Sequence, residues 1–173
     1  TTEGQQGVSP AAGAPAGVRS IAPYRPGRPI GEVARELGLD PAGIVKLASN
    51  ENPLGMSPRA VVAAQQVLAG GARYPDANGH DLKQALARHY GVDAGWITLG
   101  NGSNDILELA ARALVGPGQG IIHSRYAFIV YPLVAQAIGA VGIEVPDADL
   151  GHDLAAMLAA ITPRTRVVMA CTP

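Results

Sequence analysis

The rhythm of apolar and polar positions changes twice along the chain. Residues 1–17 hold one sizeable apolar residue, Val8, and one charged residue, Glu3, among Gly, Ala, Pro, Gln, Ser and Thr. So little burial cannot offset the entropy of ordering the segment, and a disordered tail is expected there. From Val18 a proline-stiffened arm runs through Ile21-Ala-Pro-Tyr-Arg-Pro-Gly-Arg-Pro29. Ile30 to Leu37 then predicts a short helix stopped by Gly38. Ile44 to Leu47 predicts a short strand leading into Ser49-Asn-Glu-Asn-Pro-Leu-Gly55, whose residues favour turns over regular structure. Ser57-Pro58 supplies a capping hydroxyl and a proline at the first helical position, which predicts a helix from Pro58 to Ala69 ended by Gly70-Gly71. A second helix is expected from His80 to Tyr90, with Leu82, Ala85 and Leu86 on one face and Gly91 just past its end.

Beyond Trp96 short apolar runs alternate with amphipathic stretches. The pattern predicts strand Ile97–Leu99, helix Ser103–Val115, strand Ile121–His123, helix Phe128–Ile138, strand Val141–Val145, helix Asp153–Ile161 and strand Thr165–Ala170. Strands separated by helices imply an α/β fold, with a mainly parallel sheet and helices on both faces. The expected organisation is a tail over 1–17, an arm and loop over 18–56, and a sheet domain over 57–173. That domain looks unfinished, because the chain stops just after a strand that should be internal.

Charge narrows the partners. A formal net charge of -1 with no run of Lys or Arg lacks the footprint of a nucleic-acid or anionic-membrane binder, so a small molecule is the expected partner. Cys171 is the sole cysteine, which excludes an intramolecular disulfide and a thiolate-rich metal site. No basic leader precedes an apolar stretch, and no apolar run approaches the ~20 residues of a spanning helix. A soluble, cytoplasmic protein is expected.

Three segments could carry chemistry. Gly100-Asn-Gly-Ser-Asn-Asp105 is expected to follow a strand and open a helix, which gathers unpaired backbone N–H groups and the positive end of the helix dipole at one place, a phosphate site in outline. The segment is neither a Walker loop nor a complete dinucleotide fingerprint. It reads equally as an ordinary strand-to-helix turn capped by Ser103 or Asn104. Tyr126, on the loop after a strand, could cover the face of a planar ligand in the crevice at the strand ends, or simply pack at a loop edge. Tyr74, between Arg73 and Pro75, belongs to an exposed loop that could reach a neighbouring subunit. The four histidines show no metal-ligand spacing and read as solvated or partly packed. Asp147, Asp149 and Asp153 make a mildly acidic loop that caps the helix at Asp153 and lacks the pattern of a calcium loop. Only two lysines occur, Lys46 and Lys83, both expected to point their charge into solvent.

Four segments in this order, Pro23-Tyr-Arg-Pro26, Leu47-Ala-Ser-Asn-Glu-Asn-Pro-Leu-Gly55, Arg73-Tyr-Pro-Asp76 and Gly100-Asn-Gly-Ser-Asn-Asp-Ile-Leu107, resemble the N-terminal part of class II, fold-type I aminotransferases, and histidinol-phosphate aminotransferases in particular. The resemblance covers nearly everything from Val18 to Pro173. It implies pyridoxal 5'-phosphate as cofactor, with its phosphate held by Gly102, Ser103 and Asn104 and its ring stacked on Tyr126. Tyr74 would reach the cofactor phosphate of the other subunit of a homodimer. Tyr24 and the loop Asn50, Glu51 and Asn52 would lie over the substrate. The reaction implied moves an amino group between glutamate and imidazole-acetol phosphate, giving L-histidinol phosphate and 2-oxoglutarate. Asp105 stands where the family more often has Glu. The Schiff-base lysine, the aspartate at the pyridinium nitrogen and the arginine for the substrate carboxylate would lie beyond Pro173, so the chain alone is expected to be inactive. An aromatic or other amino-acid aminotransferase, a related decarboxylase of phosphate substrates, and a non-catalytic truncated remnant are the competing readings. A nucleotide-binding α/β module is the remaining one, and it lacks the Walker lysine.

Overall fold

A computed structural model describes residues 10–24, 26–49 and 51–171. In chain order its helices are α1 Ala16–Arg19, α2 Ile30–Leu37, α3 Pro58–Leu68, α4 His80–Tyr90, α5 Ser103–Leu114, α6 Val130–Ala137 and α7 Leu154–Ala159. The strands are β1 Gly120–Ser124, β2 Val141–Val145 and β3 Thr165–Met169. Two units separate: one is formed by the stretch ending at Pro23 and the stretch beginning at Thr98, the other by Tyr24–Ile97. This division differs from the one drawn on sequence, since α3 and α4 cluster with the arm and not with the sheet. Part of the expected tail is also structured: a 3-10 turn spans Pro10–Gly13 and α1 follows it.

In the sheet unit all three strands are parallel, in the order β2-β1-β3. Every residue of β1 is buried, as its central place requires. Successive strand side chains point to opposite faces, so Ile121 and Ile122, both fully buried, anchor two separate cores. Ile121 packs with Ala111 of α5, Tyr131, Val134 and Ala135 of α6, and Met169 of β3. Ile122 packs with Val145 of β2 and Met157 of α7. Each isoleucine contributes about 1.5–3 kcal/mol by leaving water. Helices therefore cover both faces, as the pattern of apolar runs predicts. With α6 on one face and α7 on the other, the arrangement is what right-handed crossovers demand when the second connection returns across the sheet.

Local chemistry explains most element ends. Gly38 and Gly91 close α2 and α4 in the left-handed conformation, and Asp153 accepts the Ala156 N–H at 2.8 Å to start α7. Pro132 sits in the first turn of α6, where its missing N–H leaves no intrahelical bond unmade. Helix α1 lies against α6, and Gln136 Nε2 donates to Ser20 Oγ at 2.8 Å. A Cβ on Gly17 would stand 2.3 Å from the Gln136 carbonyl oxygen, so the approach admits only glycine.

Several expectations fail for identifiable reasons. Ile44–Leu47 and Ile97–Leu99 form no strand, because a short apolar run becomes a strand only beside a partner and the ladder ends at β2 and β3. Val45 and Leu47 are largely exposed. Ser57 precedes α3 but makes no side-chain capping bond, and neither Ser103 nor Asn104 caps α5, whose N-cap is Gly102. Lys46 does not extend into solvent: it pairs with Glu51 at 2.7 Å, its own side chain only 18% exposed. His123 is buried within β1 rather than solvated or partly packed. In the Tyr24–Ile97 unit Ala34 is the single buried residue among those described, while Leu47, Leu54, Met56, Val67 and Leu68 are exposed. Among the described residues no helix is long and apolar enough to cross a membrane.

Candidate active-site cleft

The carboxyl edge of the sheet gathers the polar groups. The connection after β1 leads to α6 on one face and the connection after β2 leads to α7 on the other, an arrangement that opens a crevice between adjacent strand ends. A cleft of about 420 Å³ lies there, lined by Ser124, Tyr126, Asp147, Gly151, His152 and Cys171 among others. Its walls are fixed by cross-loop bonds. Asp147 Oδ2 accepts the Tyr126 N–H at 3.1 Å, and the Arg125 N–H donates to the Val145 carbonyl at 2.9 Å. Arg125 Nε reaches Glu144 Oε1 at 2.8 Å, and this partner raises the Arg125 pKa above its ordinary value. The Tyr126 backbone is thus held by the neighbouring strand's exit, while its ring stays 77% exposed at the lip.

Deeper in the cleft, two buried polar atoms, Ser124 Oγ and His152 Nδ1, have no hydrogen-bond partner among the described residues. His152 Nε2 lies 2.7 Å from the Cys171 carbonyl oxygen and 3.1 Å from its nitrogen. Tyr131 of α6 stands beside the Cys171 thiol. Burial raises its phenol pKa above the ordinary value, and the neighbouring thiol adds to the effect.

Helix α5 supplies the second feature. It joins β1 through a connection of a few residues, so its C-terminus lies near the start of β1; it packs on α6 and β3 with Ala111 in their shared core, and its first turn follows Gly102. Gly102 has φ 86° and ψ 174°, a conformation open to glycine alone. No side chain caps the helix, which leaves its first N–H groups and the Ser103 hydroxyl available to an anion. Asp105 is turned back: its Oδ2 accepts from the Asn101 backbone N–H at 2.9 Å and from Asn101 Nδ2 at 3.0 Å. Its charge thereby tightens the turn.

Over 156 residues the chain is 64% identical to histidinol-phosphate aminotransferase 2 of Ralstonia nicotianae, covering 90% of this chain and 42% of that one. Against histidinol-phosphate aminotransferase 2 of Pseudomonas aeruginosa it is 57% identical over 157 residues, covering 91% and 42%. The chain is a homologue of the N-terminal part of histidinol-phosphate aminotransferases. It spans about two-fifths of the length of the curated relatives it matches. No protein-family model matches it. Among solved structures, histidinol-phosphate aminotransferase from Sinorhizobium meliloti, in complex with pyridoxal-5'-phosphate, superposes with a TM-score of 0.69 at 27% identity over 92% of this chain and 40% of that one. N-succinyldiaminopimelate aminotransferase from Mycobacterium tuberculosis gives 0.66 at 28% identity, over 80% and 38%. The fold is that of the fold-type I aminotransferases.

The residues expected to serve the aminotransferase site fall into both units. Gly102, Ser103, Asn104 and Tyr126 belong to the sheet unit, whereas Tyr24, Glu51, Asn52 and Tyr74 belong to Tyr24–Ile97. Tyr24 is more than half exposed and Tyr74 fully so. Asn52 shapes its own loop, with Oδ1 accepting the Leu54 N–H at 3.0 Å and Nδ2 donating to the Gly55 carbonyl at 3.1 Å. Glu51 is engaged by Lys46. Asn50 lies outside the described residues. Ser124, His152 and Cys171 were not singled out as site residues on sequence. Neither spacing nor motif marks them, because only the fold of the strands around β1 brings them together.

Proposed function

We propose that this chain provides the phosphate cradle and ring cover of a histidinol-phosphate aminotransferase, which exchanges an amino group between L-histidinol phosphate and 2-oxoglutarate and works with pyridoxal 5'-phosphate as a homodimer. The observation that carries the reading is the uncapped start of α5 at Gly102-Ser103-Asn104, in the same unit as the exposed Tyr126 ring at the lip of the cleft. That donor set fits the group. Consecutive backbone N–H groups, the Ser103 hydroxyl and the Asn104 amide suit a phosphate, and the helix dipole favours its charge. The Tyr126 ring suits the face of a pyridine. When bound, pyridoxal phosphate supplies the carbonyl that takes the amino group and the ring that accepts electron density from the substrate α-carbon.

The chain's own part is placement. The α5 start would fix the phosphate, the Asp147 bond to the Tyr126 backbone would hold the aromatic lid in register, and the ring would exclude water from one face. Tyr74, fully exposed, would be free to meet a second copy of the chain. Tyr24 and the Asn50 to Asn52 loop would approach the substrate. The proton-transfer groups are assigned to the part of the relatives that this chain does not match.

Equilibrium titration with pyridoxal phosphate tests the reading. Saturable binding is expected, weakened about two- to tenfold by Tyr126→Ala, as loss of a stacked ring worth about 0.5–1.5 kcal/mol predicts, and little changed by Tyr126→Phe. Ser103→Ala should weaken it further, with added inorganic phosphate competing. Absence of saturable binding, or equal binding by Tyr126→Ala, would overturn it.

A further inference from the structure

His152 sits on the connection between β2 and α7, yet its one hydrogen-bonding nitrogen meets the exit of β3. Nε2 is 2.7 Å from the Cys171 carbonyl oxygen, 3.1 Å from the Cys171 nitrogen and 3.5 Å from the thiol. The Cys171 N–H is directed at Nε2 and the Cys171 carbonyl oxygen lies beside it, so Nε2 meets the Cys171 backbone in either neutral tautomer: it accepts the N–H when Nδ1 carries the proton and donates to the carbonyl when Nε2 carries it. The sheet order is β2-β1-β3, so the connection leaving β2 carries His152 past the end of β1, and the imidazole closes the remaining gap to the exit of β3. The other nitrogen, Nδ1, is shut off from solvent and has no partner among the described residues, so His152 does not present it to a ligand in the open cleft.

We propose that His152 is a positioning residue of the cleft: it clasps the Cys171 peptide across the end of β1 and so fixes the chain leaving β3 as one wall. Resting on the reading of the cleft as a cofactor site, this assigns His152 an effect on pyridoxal phosphate affinity that passes through the backbone at Cys171. Cys171 also packs against the core cluster that contains Tyr131 of α6, so the exit is met from two elements. Asp153, the next residue, caps α7, which fixes the backbone from which His152 reaches.

Because Cys171 is the only cysteine, its rate of alkylation by iodoacetamide reports the state of the β3 exit in the 173-residue chain. The variants are His152→Ala, His152→Asn, whose amide stops near the Nδ1 position, and His152→Gln, whose amide nitrogen reaches about as far as Nε2. Ala and Asn are expected to raise the alkylation rate several-fold and to weaken pyridoxal phosphate binding by up to about tenfold, the loss of one hydrogen bond. Gln is expected to restore both. A merely structural histidine would give Ala, Asn and Gln the same values, and that result overturns the proposal, as does a wild-type alkylation rate in His152→Ala. Should Ala fail to fold, the Asn and Gln pair decides. If the parent chain binds no pyridoxal phosphate, the cofactor reading falls, and the alkylation series alone then judges the clasp.

Discussion

Asp76 illustrates how one side chain in a recognisable motif can serve structure first. Its carboxylate accepts the N–H groups of Asn78 at 2.9 Å and His80 at 2.8 Å, bridging the turn before α4. The His80 N–H and then the Asn78 N–H hold its pKa below the ordinary carboxylate value. A group depressed in the folded state stabilises above its unfolded pKa, about 3.9, and loses that contribution as pH falls through the folded value. Acid titration followed by NMR from about pH 6 to about pH 2 should therefore release the Asn78 and His80 amides only at the acid end, and Asp76→Ala should abolish that step. Gly17 makes a steric counterpart. Gly17→Ala drives a methyl into the Gln136 carbonyl and should undock α1. The expected cost is about 1–3 kcal/mol, the range for overpacking, read as a lower urea midpoint and loss of amide protection at Ser20. The site residues follow the same logic of placement. Gly102 was legible in the sequence as the residue before α5, because a glycine there admits the positive φ of the turn. His152 was not, since nothing within three or four residues signals a partner 19 positions away.

At the scale of elements, α7 depends on one side of one helix. Met157 is 2% exposed and completes the core under Ile122 and Val145, while Leu158 beside it is 70% exposed. Met157→Ala should cost about 2–5 kcal/mol and Leu158→Ala within about 0.5 kcal/mol, measured by denaturant unfolding. Equal costs would mean α7 is not seated on the sheet as described. The elements read best from sequence are those with both a periodic face and an end signal: α2 closes at Gly38, α4 at Gly91, and α7 starts at Asp153. The misread ones, Ile44–Leu47 and Ile97–Leu99, carry strand-like composition without a neighbour to pair with. Strand propensity is largely a statement about packing in a sheet, so composition could not decide them.

The whole molecule is uneven. Its buried core lies almost entirely on the two faces of β1, whereas Tyr24–Ile97 buries only Ala34 among the described residues and leaves Val67, Leu68 and Trp96 exposed. Local stability follows apolar burial. Native-state hydrogen exchange should accordingly find the slowest amides in β1 and amides of α3 and α4 at least about tenfold less protected, a gap of about 1.4 kcal/mol or more. Uniform protection across both units would contradict this. The sheet also has two edge strands, β2 and β3, and open edges invite pairing with another chain.

By itself the sequence determined the alternation of strands and helices, hence the parallel α/β class. It also determined the glycine and aspartate signals that end or begin helices, and the motif order that points to an aminotransferase. These are local properties: they depend on periodicity, on backbone freedom and on neighbours a few residues apart. Tertiary structure alone decided which apolar runs became strands, which polar residues face a common cleft, and that His152 meets Cys171 beyond β1. The physical reason is that a parallel sheet joins residues through crossovers of about a dozen residues or more, so its contacts obey spatial strand order, and no short pattern along the chain records that order.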